Sequence, residues 1–460
     1  MMSKDAKLTR GTIRGHLVAQ TVPMIIGVAA IMSIGLVDSY FIGQLGADQL
    51  AAISFIFPIS VALTSLGVGV SVGINSVVAR ALGEGDSASA ARRANFGMVF
   101  AVGLGAVMGL GLFLALDPLF RLMQAPDNLM PYIRIYMQPF AMGFPLLMGI
   151  MGINGVLRGQ GEAKRTSVIS LTYASANWVL DPLLITGAFG VEGFGIAGAA
   201  YATLIGWAIA VLLGLFLLRS TALPIDIKVL KDCNMGASLR SIAGVAGPAA
   251  FSNAINPIGL SVLTALVAAQ GQDAVAGFGA AGRLQSFAVV PLLALSASIG
   301  AIVGQNWGAG QQDRSRSAMV WAGGFCLAYG AALAVMLFAA GDWVAAFFTD
   351  DGDVIAAFSS YLSIAAWGYA GYGLLIVSNG ALNSVGRAGT ALIQSFARVF
   401  LVMLPFAWLL RPAWGAEAIY AAELAANAIG GTVAAIIVWR VLRSPTPRSA
   451  SHGISSTSRQ

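Results

Sequence analysis

The sequence predicts an all-α integral membrane protein with twelve transmembrane helices, built as two parallel six-helix repeats. Three observations predict it: an apolar composition, twelve long apolar runs and an internal repeat at one fixed spacing. The chain of 460 residues is 57% hydrophobic and only 10% charged. Its mean hydropathy is +0.80, which separates it from soluble globular proteins. A helix crossing a bilayer needs about 20 apolar residues. Runs of that length fall at 17–41, 51–78, 93–116, 133–156, 165–187 and 194–218 in the first half. In the second they fall at 240–268, 274–303, 317–339, 354–382, 390–410 and 416–440.

The repeat runs at an offset of 225 positions without a gap. Pro23 matches Pro248, Gly46 and Asp48 match Gly271 and Asp273, and Gly83 and Gly85 match Gly308 and Gly310. Further on, Asp117 matches Asp342, and Asn154, Gly161 and Ala163 match Asn379, Gly386 and Ala388. In the last helix pair the register slips by about five, and Gly195 matches Gly415. The chain therefore divides into a basic N-terminal segment (1–16), a first half (17–218), a linker (219–239), a second half (240–440) and a disordered tail (441–460).

Charge sets the orientation. Of the 26 Lys and Arg, 21 fall in the termini and the even-numbered loops. The positive-inside rule then puts both termini in the cytoplasm. Six helices per half give both halves the same orientation, the pattern of parallel repeats, which points to alternating-access transport. The basic pI of about 9.5 follows from these inward loops and calls for no nucleic-acid partner. Two His and two Cys leave no catalytic or metal-ligating constellation, so neither enzyme nor metal centre is expected.

Charges within the apolar runs are costly, and so mark function. Asp38 lies in the outer part of the first helix and Asp181 in the outer part of the fifth. Asn177 precedes Asp181 by one helical turn and shares its face. Tyr136 in the fourth helix and Thr203 in the sixth fall in the same slab. Two carboxylates taken out of water side by side cannot both stay ionised cheaply, so a proton-binding site is expected there. Asn154 joins the polar network with Tyr136 and Thr203, with packing or capping as its other reading. In the second half Arg283, Arg398, Asn253, Asn256 and Tyr369 are candidates for a cavity. Arg283 and Glu423 lie at similar depth and are a candidate pair. Asp48 and Asp273 each follow a glycine turn and are expected to cap a helix. Gly83-x-Gly85 and Gly308-x-Gly310 are expected to be turns.

Four segments carry a family resemblance. Val37-Asp38-Ser-Tyr-Phe-Ile-Gly-Gln-Leu-Gly46 resembles the first-helix motif of the multidrug and toxic compound extrusion (MATE) transporters. Val303-Gly-Gln-Asn-Trp-Gly-Ala-Gly310 resembles their signature after the eighth helix, and Asn154-Gly-Val-Leu-Arg-Gly-Gln-Gly161 the end of their fourth. Asn177-Trp-Val-Leu-Asp-Pro182 resembles the fifth helix of the DinF-like branch. The resemblance spans about residues 15–440. It implies two lobes forming a V in a bacterial cytoplasmic (inner) membrane, with efflux of organic cations or other amphipathic compounds driven by H⁺ or Na⁺. It implies no cofactor. The NorM-like branch has a carboxylate in the seventh helix that this sequence lacks, so a NorM-type sodium site is not expected. The expected partners are small organic substrates and the lipid bilayer, and the expected working unit is a monomer. A flippase or exporter for a lipid-linked or anionic substrate is the alternative, and a cavity lined by Arg283 and Arg398 would favour it.

Overall fold

A computed structural model of the chain describes residues 5–187, 190, 192–347 and 349–444. The described residues are almost wholly helical, and twelve helices are long and apolar enough to cross a membrane. In the first half these are α1 (Ile13–Gly43), α2 (Ala47–Gly83), α3 (Ser87–Leu122), α4 (Met130–Gly159), α5 (Ala163–Gly187) and α6 (Ile196–Leu218). The second half has α7 (Met235–Ala268), α8 (Gln272–Ala288, then Val290–Gly308), α9 (Gln312–Ala345), α10 (Gly352–Ser384), α11 (Ala388–Trp414) and α12 (Ala416–Arg443). The break in α8 falls at Val289, two residues before Pro291, which has no N–H to continue the ladder. The linker contributes a short 3-10 turn over Ile227–Asp232. Of the tail, residues 445–460 lie outside the described residues.

The repeat is visible in the backbone itself. Gly195 and Gly415 take φ/ψ of 60°/−138° and 58°/−132° before α6 and α12. Only glycine enters this region readily, so the slipped register of the last helix pair is a structural equivalence too. Gly85 and Gly310 both have positive φ, as turn glycines do. Asp48 and Asp273 do not cap their helices as expected. The cap positions belong to Gly46 and Gly271, at φ 138° and 126°, and the aspartates sit in the first turn. There they face the positive end of the helix dipole rather than close a cap hydrogen bond.

Each half packs its own apolar core, but the first helix of each also leans on the other half. α1 packs against α5 of its own half and against the second segment of α8. α7 packs against α11 and against α2. Close approach there requires glycine: a Cβ on Gly69 would lie 2.5 Å from the Ala246 carbonyl oxygen. On the face that carries the termini the two halves are locked. A Cβ on Gly83 would lie 2.1 Å from the Gln305 oxygen, and one on Gly308 would lie 2.3 Å from the Arg80 oxygen. The Ser76 hydroxyl donates to the Asn383 carbonyl at 2.7 Å. Gln305 Nε2 donates to the Gly159 carbonyl at 2.8 Å.

The N-terminal segment joins this seal. Leu8 is buried with Ile13 and Leu17 in a cluster of second-half residues. Its N–H donates to Gln305 Oε1 at 3.0 Å, and its carbonyl accepts from Asn306 Nδ2 at 3.1 Å. Arg314 reaches the Gly11 carbonyl at 2.9 Å. A segment that reads as a polar lead-in is in fact inserted between the halves.

Candidate functional site

In the first half the site is built where α1, α5 and α6 converge. Asp181 is the last α-helical residue before Pro182, and from Pro182 to Gly187 the helix widens to a π turn. Proline removes one backbone donor and crowds the preceding turn, and π segments of this kind recur at functional sites. Asp181 is fully buried. Asp38, one turn from the end of α1, is half-buried, and its carboxyl meets that of Asp181. α5 is held to α1 below this point by the Trp178 indole, which donates to the Ser33 hydroxyl at 3.1 Å. On the other side α6 presses in through Gly206, where a Cβ would lie 2.5 Å from Asn177 Nδ2. Asn177 donates to the Tyr173 carbonyl at 3.0 Å.

The polar atoms here are undersupplied with donors. Asp38 Oδ1, both carboxylate oxygens of Asp181 and Asn177 Oδ1 are buried with no hydrogen-bond partner among the described residues. Buried polar atoms are nearly always satisfied, and an orphaned one costs about 1–3 kcal/mol. Four orphaned acceptors together make a place for a proton or cation. Tyr136 is a hydrogen-bond neighbour of Thr203 and lies near both aspartates. Tyr136, Phe140 and Trp207 form an aromatic wall beside them. Asn154 stands apart. It is buried in α4, but eighteen residues along the helix from Tyr136 is roughly 27 Å, so it does not share this network.

The second half carries a cluster of a different kind. Arg398 is 4% exposed and lies at the start of a π segment in α11, Ala397–Met403. Its two terminal nitrogens donate to Asn427 Oδ1 and Asn256 Oδ1. Glu423 accepts from Gln285 Nε2 at 2.6 Å and from the Tyr361 hydroxyl at 2.8 Å. Asn256, Gln285, Tyr372, Arg398 and Glu423 line one cavity of about 90 Å³. Of the expected cavity residues, Arg398 and Asn256 are there. Arg283 is exposed, does not line the cavity and forms no ion pair with Glu423. Asn253 is also exposed, and its amide returns to the Ala249 carbonyl at 2.8 Å. Tyr369 is fully buried in the second-half core.

Gln285, Tyr361 and Asn427 were not candidates from sequence. The repeat holds a signal for one of them. Tyr361 stands 225 positions after Tyr136, and Glu423 stands 220 after Thr203, the register of the last helix pair. The Tyr136–Thr203 contact of the first half therefore recurs as Tyr361–Glu423, with a carboxylate in place of the hydroxyl.

Known proteins bear on these sites. The family model MatE matches residues 23–183 and again 248–409. The chain is 33% identical over 391 residues to a protein of Shewanella oneidensis named FAD transporter, covering 85% of this chain and 86% of that one. It is 28% identical to the probable multidrug resistance protein YpnP of Bacillus subtilis, over 88% of this chain and 91% of the relative. The solved structure of a mutant of the Vibrio cholerae MATE transporter VcmN superposes with a TM-score of 0.89 at 27% identity, covering 94% and 97% of the two chains. Matched twice by the family model, once in each half, and similar to these transporters along its length, the chain belongs to the MATE family of multi-pass membrane transporters, which are not enzymes.

Proposed function

We propose that this chain is a proton-coupled antiporter that exports amphipathic or cationic organic compounds, with Asp38 and Asp181 as the coupling site. The observation that carries the reading is the set of orphaned carboxylate oxygens. Two touching carboxylates have no donor between them. One proton supplies it, satisfies both groups and halves the buried charge. The pair then acts as a single proton carrier whose affinity belongs to both residues. Asn177, whose Oδ1 is also free, and the Tyr136–Thr203 pair tie that carrier to α4, α5 and α6, so a change of its charge is felt by three helices. With both termini in the cytoplasm of a bacterial inner membrane, the locked face is the cytoplasmic one. A proton taken from outside would loosen α1 against α5 and permit the halves to rock about α1 and α7.

The test uses dye efflux from proteoliposomes, with ΔpH and a sodium gradient imposed separately. Transport under ΔpH alone, lost in Asp38→Asn, is expected. Robust transport under a sodium gradient at zero ΔpH would assign the same site to Na⁺. A second reading concerns the substrate. A relative 33% identical is named FAD transporter, and the second half of this chain buries an arginine beside a cavity. That combination favours an anionic substrate. Loading proteoliposomes with FAD in one arm and a cationic dye in the other separates the two readings.

A further inference from the structure

The deepest unexplained charge in the second half is Arg398. A guanidinium in a membrane protein's interior normally sits against a carboxylate. Arg398 does not. Its terminal nitrogens rest on two neutral amide oxygens, and its Nε–H is buried with no partner among the described residues. Glu423 lines the same cavity but spends its oxygens on Gln285 and Tyr361. The fold is nonetheless shaped around the arginine. A Cβ on Gly430 of α12 would lie 2.9 Å from Arg398 Cγ, so the stem lies flat against a glycine. The Tyr372 ring stands 5.5 Å from the guanidinium.

We propose that this cavity is a substrate subsite in which Arg398 binds the oxyanion, phosphate or carboxylate, of an exported organic anion. The proposal rests on the second reading above, export of an anionic substrate, and narrows its class. Arginine's planar fork suits either oxyanion. At about 90 Å³ the cavity is well below the size of pockets that enclose a drug-sized ligand. It takes a headgroup, not a whole drug, so the remainder of the molecule lies outside it. Glu423 adds a second requirement. A bare anion would face its carboxylate, so the ligand must present a hydroxyl or amine there, next to its oxyanion. Hydroxylated organic phosphates and carboxylates meet both conditions. Cationic dyes lack the oxyanion that Arg398 requires and would sit elsewhere.

The experiment is equilibrium binding to the purified full chain in detergent, without any gradient, so that a failure of coupling and a failure of this subsite are separable. Three matched probes are used: adenosine, adenosine 5′-monophosphate and adenosine 5′-carboxylate. The wild type is expected to bind at least one of the two anions ten-fold or more tighter than adenosine, and the better of them names the oxyanion. Asn256→Asp places a fixed carboxylate against Arg398 with almost no change of shape. It should abolish that preference. Arg398→Gln should do the same, and Asp117→Asn, outside both sites, should preserve the preference. Equal binding of the three probes by the wild type, or an anion preference that survives Asn256→Asp, would overturn the proposal.

Discussion

In the first half, the space between α1, α5 and α6 holds two aspartates in contact. In the second, α11 and α12 bring an arginine and a glutamate to one cavity without an ion pair. The backbones are alike: both α5 and α11 turn to a π segment beside the buried charge, and a tyrosine from α4 or α10 reaches a polar residue of α6 or α12. What differs at the two sites is chiefly the chemistry. The first half has acceptors without donors, and the second has a cation without an anion. An ancestral six-helix unit has thus kept its geometry while its two copies took opposite electrostatic tasks. On the proposed reading, one copy handles the coupling ion and the other the substrate.

The comparison breaks most sharply at the acids. Asp38→Asn and Asp181→Asn are each expected to reduce export to the level of a host without the pump, at normal membrane abundance, whereas Glu423→Gln should retain proton-driven export. Drug-resistance assays in a pump-deficient host read this directly. Equal loss in all three would end the division of labour.

The seal between the halves should respond symmetrically. Gly83→Ala and Gly308→Ala each press a methyl onto a carbonyl of the opposite half, and backbone cannot step aside. Both should destabilise the sealed form by about 1–3 kcal/mol, to similar extents, visible as a lower Tm in detergent. A large difference between them would mean that the two crossings are not equivalent.

A smaller and asymmetric effect is expected where α6 and α12 meet their sites. Gly206→Ala crowds the short Asn177 amide, while Gly430→Ala meets only the flexible Arg398 stem. The first should reduce export several-fold more than the second. Smallest of all is Asp117→Asn. Asp117 pairs with Arg134 at 2.7 Å in the first half. In the repeat register Asp117 corresponds to Asp342, and Arg134 to Ser359 rather than an arginine. Since the second half does without the pair, and exposed pairs contribute little, thermal unfolding and export should both match wild type.

The twelve helices and the repeat were legible because both rest on patterns that survive without contacts: run length and fixed spacing. The first-half site was legible for a related reason. An aspartate in an apolar helix has no ordinary explanation, and depth alone brought Asp38 and Asp181 together. The second half resisted the same method. Arg283 and Arg398 look alike in sequence, but helices apolar on every face give no clue to which side points inward. One arginine is exposed and the other buried. Gln285, Tyr361 and Asn427 are neutral and pass for packing residues until a charged neighbour is placed beside them. Asp48 and Asp273 misled because φ decides a cap, and the glycine two residues earlier had already taken that position. Leu8 was invisible because what holds it is its backbone, which has no letter in the sequence.

That last feature has a bearing on how the molecule is made. Leu8 finds its backbone partners at Gln305 and Asn306, nearly three hundred residues further along the chain, whereas Lys7 pairs with Glu162 and Asp5 accepts from Ser87 in the first half. The segment can therefore dock on the first half once α5 is in place, but its bonds to the second half wait for α8. The lock between the halves closes only when both have been inserted.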